Sequence, residues 1–127
     1  MERKTIYDEK SLLQIVYNLC QGGDHRLHRL RWTLFFADDE IIKKCLNKLF
    51  RYKYSSSTAK LTPLMIASYE GHTNIVEILL ETGYCNVEIE GLFPEISREP
   101  GWTALYMAIA AGRLDIVKIL VETGNAN

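Results

Sequence analysis

The strongest signal in the sequence is the recurrence of apolar residues at helical spacing in two segments, residues 61–83 and 102–124. In the first segment Ile75 and Val76 lie four and three residues before Leu79, as on one side of a helix. A glycine interrupts the apolar pattern inside each segment and another glycine ends it, and glycine readily takes the left-handed conformation that ends a helix. Each segment is therefore predicted to form two short antiparallel helices.

The two segments are copies of one another at a constant separation. Thr62 matches Thr103, 41 residues later, and the same separation relates eight further pairs: Leu64/Leu105, Ala67/Ala108, Gly71/Gly112, Ile75/Ile116, Val76/Val117, Leu79/Leu120, Glu81/Glu122 and Gly83/Gly124. A constant offset over so many positions indicates a repeated structural unit. We predict helix pairs at 63–82 and 104–122, inside two full repeats that each expose an apolar side to a neighbouring unit.

The residue order from Thr62 to Leu80 resembles the ankyrin repeat, in which Thr-Pro-Leu-His is followed by Ala, Gly-His, Ile-Val and Leu-Leu. Met65 and Tyr106 stand where that family has its usual His. The resemblance implies an all-α solenoid of stacked helix pairs that binds other proteins.

The chain between the two repeats, residues 84–101, is longer than this family requires. The usual period is about 33 residues, so an offset of 41 adds roughly eight residues there. Polar and apolar residues alternate over residues 86–90 and the alternation breaks at Gly91, which favours a long β-hairpin finger. Inserts in repeat proteins commonly lie on the binding face.

The chain before the first full repeat contains weaker helical signals. Residues 9–36 read as helix, glycine turn and helix, and we interpret them as a degenerate first repeat that caps the stack. Acidic residues from Asp38 onward begin an extra helix at 39–51. Residues 51–60, rich in serine, are predicted to be a flexible linker, with no regular strand outside the insert. The whole of 1–127 is taken as a single domain.

Composition narrows the possible partners. The chain of 127 residues is 47% apolar and 24% charged, with a formal net charge of −1, which gives no overall attraction to nucleic acid or to an anionic membrane. No apolar run is long enough to span a bilayer, and the first ten residues are too polar for a secretory signal. Three cysteines without zinc-type spacing suit a reducing compartment, so we expect a cytoplasmic or nuclear protein.

No catalytic constellation is visible, and we expect a non-catalytic module without a cofactor. His25 and His28 near Cys20 could contact a zinc ion, but a fourth ligand is missing and surface histidines are the favoured interpretation. A local basic cluster is similarly interpreted as a solvated helix face rather than a phosphate site: Arg26, Arg29 and Arg31. Tyr52 and Tyr54 are expected to pack over the core.

Four features in order resemble the amino-terminal part of the feminization-1 family of ankyrin proteins. They are an opening helix at 15–18, the acidic-capped extra helix at 38–49, the repeat at Thr62, and an insert with Val-Glu-Ile-Glu-Gly at 87–91 before Thr103. The resemblance implies a substrate receptor of a cullin-2 ubiquitin ligase whose amino-terminal repeats bind the carboxy-terminal tails of substrates, often near an arginine. Docking to elongins B and C would use downstream segments that this sequence does not contain.

The candidate site is the concave side formed by the insert and the first helices of the two repeats. Tyr69, Tyr106 and Trp102 would contact an extended peptide, and Glu90 or Glu95 would face its basic side chain by charge-assisted hydrogen bonding. Two alternatives remain open: the insert is a solubilising loop with one aromatic anchor, or the chain is a generic ankyrin scaffold or adaptor with an unrelated protein partner.

Overall fold

The computed structural model describes residues 27–36, 38–54, 57–93 and 101–123, together with Gln14, Val16 and Asn18, which have helical backbone conformation. The elements in chain order are α1 (Leu27–Phe36), α2 (Asp39–Leu46), β1 (Phe50–Tyr54), β2 (Ser57–Leu61), α3 (Pro63–Glu70), α4 (Thr73–Glu81), α5 (Ala104–Ala110) and α6 (Leu114–Glu122). No helix in these ranges is long and apolar enough to cross a membrane.

The two helix pairs begin and end through the signals read from the sequence. The Thr62 hydroxyl accepts a hydrogen bond from the Met65 amide at 3.3 Å, and Thr103 does the same for Tyr106 at 3.2 Å. Gly71 follows α3 with a φ of 84°, a left-handed conformation that a side chain resists. The helices therefore lie at the residues predicted, 63–82 and 104–122.

The helices form two layers. In one layer α3 packs against α5; in the other α1 packs against α4 and α4 against α6. Ala67 and Ala108 are fully buried, and their small side chains let the helices approach closely. The position of α1 beside α4 is where the second helix of the predicted unit at 9–36 would lie. The first helix of that unit falls outside the described residues except for Gln14, Val16 and Asn18.

A β-hairpin occupies the segment that the sequence predicted to be a flexible linker. β1 and β2 pair in antiparallel register from Phe50 opposite Leu61 to Tyr54 opposite Ser57. The prediction of a linker at 51–60, with no strand outside the insert, was wrong. Side chains alternate between the two faces, and buried Tyr52, Ala59 and Leu61 anchor the hairpin to the core. The prediction that Tyr52 packs over the core was correct.

The extra helix is shorter than predicted. It begins as expected, because the Asp38 carboxylate accepts hydrogen bonds from the amides of Glu40 at 2.9 Å and Ile41 at 3.4 Å. It ends at Leu46 rather than at residue 51, since the chain turns at Asn47 and enters β1. The apolar residues beyond the turn were misread as a continuation of the helical pattern.

The insert is less regular than a hairpin finger. The predicted strand at 86–90 does not form, because the Asn86 side chain accepts a hydrogen bond from the Glu88 amide at 3.0 Å and holds a turn there. Antiparallel bridges join Gly91 to Trp102 and Leu92 to Lys60 of β2. The insert thus closes at its base and continues the edge of the hairpin. Residues 94–100 lie outside the described residues.

Candidate peptide-binding site

Three aromatic rings form a row from the core to the surface beside α5. Phe93 is buried, and its ring centroid lies 4.9 Å from that of Trp102, at 63° between the ring planes. Trp102 in turn lies 4.7 Å from Tyr106 at 70°. These edge-to-face contacts are favourable and hold the rings in fixed positions. Because Tyr106 is 53% exposed, the row of Phe93, Trp102 and Tyr106, hereafter the aromatic row, ends in a rigid aromatic surface open to solvent.

Tyr69, the third predicted aromatic contact, belongs to a different cluster. Its ring packs edge-on against Tyr52 with centroids 6.2 Å apart. The Tyr52 hydroxyl donates a hydrogen bond to the Glu70 carboxylate, which fixes the end of α3 to the hairpin. The structure therefore brings Trp102 and Tyr106 together, whereas Tyr69 lies near the C-terminal end of α3, beside Tyr52.

Of the two predicted acidic residues, Glu90 is described and Glu95 is not. Glu90 is exposed and directly precedes Gly91, whose amide donates a hydrogen bond to the Trp102 carbonyl at 2.8 Å. Since paired residues of an antiparallel bridge have Cα atoms about 5 Å apart, the Cα of Glu90 lies within about 9 Å of that of Trp102. The backbone of Glu90 is thus near the end of α5 where the aromatic row lies.

The same repeat position is used differently in the two units. Met65 in the first unit is buried, and Gly91 lies so close that a Cβ on it would come 2.9 Å from the Met65 sulfur. Tyr106, its counterpart 41 residues later, is exposed. Among the described residues, the insert covers the first position and the second remains exposed.

Arg113 places a cation at the end of the site opposite Glu90, and sequence reasoning missed it. Its Nε donates a hydrogen bond to the Tyr69 carbonyl at 3.3 Å, and its guanidinium lies over Gly71. The seven residues of α5 between the two ends span roughly 10 Å. The only sequence signal for Arg113 is its place directly after the turn glycine, Gly112.

The site is an open surface rather than an enclosed pocket. Neither of two cavities, of about 370 and 340 Å³, is lined by the aromatic row: one lies between α1, α2 and α4, and the other lies at the Gly71 and Gly112 turns, where Arg113 lines it. An exposed ring on an open surface, with Glu90 and Arg113 near the two ends of α5, suits an extended chain better than a small molecule.

The described residues offer little for catalysis. They contain no group of three or more His, Cys, Asp or Glu side chains that could hold a metal ion. Of the three residues weighed as zinc ligands, only His28 lies in a described range. Burial raises the pKa of the Cys85 thiol to about 12, against a smaller opposing effect of a hydrogen bond with Thr82. Because the thiolate is the nucleophile, the raised pKa disfavours reaction at this cysteine near neutral pH.

Comparisons with known proteins agree with the helix-pair architecture. The family model described as ankyrin repeats (3 copies) matches residues 15–127. The protein ACCELERATED CELL DEATH 6 of Arabidopsis thaliana is 36% identical over an alignment of 95 residues, and the match covers 68% of this chain and 14% of that relative. Among solved structures, the complex of yeast ribosomal protein Rps3 with its chaperone Yar1 contains a similar chain, with a TM-score of 0.64 and 25% identity. That match covers 95% of this chain and 75% of the other.

Proposed function

Since this chain belongs to the ankyrin-repeat family, whose members are protein-interaction modules, we propose that it binds an extended peptide segment of a partner protein across α3 and α5. The single observation that carries this proposal is the aromatic row, which ends in the exposed ring of Tyr106. Rigid aromatic surfaces contribute contact area at a small loss of conformational entropy, which is why they are enriched where proteins bind one another.

Charge gives the bound peptide a direction. A basic side chain would lie against Trp102 and Tyr106 near Glu90, where the ring faces and the carboxylate both attract a cation. Arg113 would attract an anionic group at the other end of α5. Because an extended chain spans about 3.3 Å per residue, the roughly 10 Å between the ends corresponds to about three residues. We therefore propose an arginine about three residues before a free carboxyl terminus.

A more specific function follows from the sequence resemblance to the feminization-1 family. We propose on that basis that the bound segment is the carboxy-terminal tail of a substrate of a cullin-2 ubiquitin ligase, with elongins B and C bound by other parts of such a receptor. The exposed cation of Arg113 supports recognition of a tail, since it would attract a terminal carboxylate.

An adaptor or chaperone role with an unrelated partner is the second candidate. It is favoured by the similarity over 95% of this chain to one in the complex of Rps3 with its chaperone Yar1. An adaptor has no requirement for a free carboxyl terminus, and this difference separates the two candidates.

The test is a titration of the isotope-labelled protein with four matched peptides, followed by backbone amide shifts. One peptide ends near arginine, one has alanine at that position, one has an amidated terminus, and one is extended beyond the natural end. We expect the arginine peptide to shift amides of residues 101–106 and 90–93. Because an exposed ion pair contributes at most about 1 kcal/mol, its dissociation constant should be high micromolar to millimolar.

Variants with matched controls test which side chains contact the peptide. Tyr106→Ala should weaken binding about fivefold, whereas Val121→Ala, exposed to a similar extent on α6, should change it less than about twofold. Glu90→Gln should weaken only the arginine peptide, and Glu88→Gln, also exposed in the insert, should not. If the alanine peptide binds as tightly as the arginine peptide, the proposed arginine site is wrong. If the amidated and extended peptides bind as tightly as the arginine peptide with its free carboxyl terminus, the adaptor is favoured over the tail receptor.

A further inference from the structure

The cavity of about 370 Å³ between α1, α2 and α4, hereafter the helix cleft, has an apolar floor. Leu34 of α1, Ile42 of α2 and Ile78 of α4 line it, and each of them is buried. Pockets that bind small molecules measure about 300–1,000 Å³, so the helix cleft is at the lower end of that range. An apolar group of matching size would gain van der Waals contacts with these three side chains. The helix cleft therefore suits a small molecule with an apolar part.

The wall of the helix cleft that follows α4 is fixed by its own hydrogen bonds. The Thr82 hydroxyl donates to the Leu79 carbonyl at 2.7 Å and accepts from the Tyr84 amide at 3.1 Å. The Tyr84 carbonyl in turn accepts from the Asn47 side chain at 2.8 Å. Because these polar groups bond one another, the wall is already in place before a ligand binds. Charged side chains at the rim are left to orient the polar part of a ligand.

Two side chains of opposite charge line the helix cleft without contacting each other. Arg31 on α1 and Glu81 on α4 are both exposed. Among the described residues, neither side chain forms an ion pair or a hydrogen bond. Asp39 also lines the helix cleft, but it already has an interaction with another group. The rim thus offers one guanidinium and one carboxylate above the apolar floor.

We propose that the helix cleft binds a free α-amino acid with an apolar side chain, such as leucine or phenylalanine. The carboxylate of the ligand pairs with Arg31 and its ammonium pairs with Glu81, both through charge-assisted hydrogen bonds. The side chain of the ligand packs on the apolar floor and is removed from water there. This site is separate from the proposed peptide site, since the aromatic row does not line it.

The pair of charges favours an amino acid over a peptide or a phosphate compound. A peptide held by its amino terminus has no carboxylate for Arg31, and one held by its carboxyl terminus has no ammonium for Glu81. A phosphate monoester has a charge of about −1.5 to −2 near neutral pH, so its excess negative charge would lie near Glu81. An amino acid has no net charge, which matches the combined charge of Arg31 and Glu81.

The test is a titration of the isotope-labelled protein with L-leucine, followed by backbone amide shifts. Three related ligands each lack one feature: N-acetyl-L-leucine has no ammonium, L-leucinamide has no carboxylate, and L-alanine has only a methyl side chain. O-Phosphoethanolamine, which has an ammonium and a phosphate, tests the phosphate alternative.

We expect L-leucine to shift amides of residues 31–34, 42 and 78–84. A ligand of about nine non-hydrogen atoms held by exposed charges should have a dissociation constant in the millimolar range, about 1 mM. N-acetyl-L-leucine and L-leucinamide should each bind about fivefold more weakly, as expected for the loss of one exposed ion pair. L-alanine should also bind at least about fivefold more weakly, because it buries less apolar surface.

Variants test the two charges. Arg31→Gln and Glu81→Gln should each weaken the binding of L-leucine about fivefold. The controls are Arg29→Gln on α1 and Glu122→Gln, which lies 41 residues after Glu81; both side chains are exposed, and each change should alter binding less than about twofold. Glu81→Gln should leave the affinity for N-acetyl-L-leucine unchanged, because that ligand has no ammonium. All four variants should fold, since every substituted side chain is exposed.

Three results would overturn the proposal. They are absence of saturable shifts in the helix cleft with L-leucine, binding of N-acetyl-L-leucine or L-leucinamide as tight as that of L-leucine, and unchanged affinity in Arg31→Gln and Glu81→Gln. Tighter binding of O-phosphoethanolamine than of L-leucine would also overturn it and would assign the helix cleft to a phosphate compound. The outcome is independent of the arginine-peptide titration, in which the expected shifts are at residues 90–93 and 101–106.

Discussion

Gly91 tests how tightly the insert packs on the first full repeat. A Cβ at this position would lie 2.8 Å from Leu61 Cδ2, 2.9 Å from the Lys60 carbonyl oxygen and 2.9 Å from Met65 Sδ. The two side-chain atoms can move in part. The carbonyl cannot, because it accepts the hydrogen bond from the Leu92 amide at 3.0 Å that joins the insert to β2. Gly91→Ala must therefore either displace the insert or break that bridge.

The expected effect of Gly91→Ala is a loss of about 2 kcal/mol in the free energy of unfolding, within the range for an overpacked core. Gly101→Ala is the matched control: that residue is exposed, its added Cβ would meet nothing within 4 Å, and its φ is outside the left-handed region. It should be neutral or slightly stabilising, because alanine lowers the entropy of the unfolded chain. Gly83→Ala, with open space but a φ of 75°, separates backbone strain of about 1 kcal/mol from the steric clash.

Urea unfolding followed by circular dichroism measures the difference. With a slope of roughly 2 kcal/mol per molar urea, Gly91→Ala should lower the midpoint by about 1 M relative to the unsubstituted protein. If the free energies of unfolding of Gly91→Ala and Gly101→Ala differ by less than about 0.5 kcal/mol, the insert does not pack on Met65 and β2 as described.

Three further outcomes are expected. Asn47→Ala should lower the free energy of unfolding by about 1–3 kcal/mol, because its side chain donates to the Tyr84 carbonyl at 2.8 Å and accepts from the Asn86 amide at 2.7 Å; an unchanged urea midpoint would contradict these bonds. Burial raises the pKa of the Cys85 thiol from its usual 9.0 to about 12, so the unfolded chain ionises first. Stability from this group should therefore be complete below pH 9 and be lost as pH rises towards 12. At pH 8, iodoacetamide should label Cys85 much more slowly in the folded protein than in denaturant, as read from its tryptic peptide; equal rates would refute the burial. In hydrogen exchange α6 should be the least protected described helix, since Leu114 is 77% exposed there and solenoid stability depends on neighbouring units; strong protection in a monomer would contradict this.

The sequence by itself determined the repeated unit. Thr62 and Thr103 accept hydrogen bonds from amides three residues ahead, and Gly71 takes a left-handed turn after α3. These signals act over a few residues, so they can be read without the rest of the molecule. The ankyrin family assignment was confirmed by the match over residues 15–127, whereas the closer resemblance to feminization-1 proteins stays a prediction.

Only the tertiary structure decided the hairpin, the insert and the exposure of the candidate site. β1 and β2 pair with Tyr52 and Leu61 buried, and Tyr52 contacts Tyr69 and Glu70 at the far end of α3. The serines between the strands hid the alternation of buried and exposed residues. Met65 and Tyr106 occupy the same position of the repeat, yet only the first is covered, by Gly91. Local sequence sets backbone preference, but burial depends on which distant segment packs above a residue, and no local pattern records that neighbour.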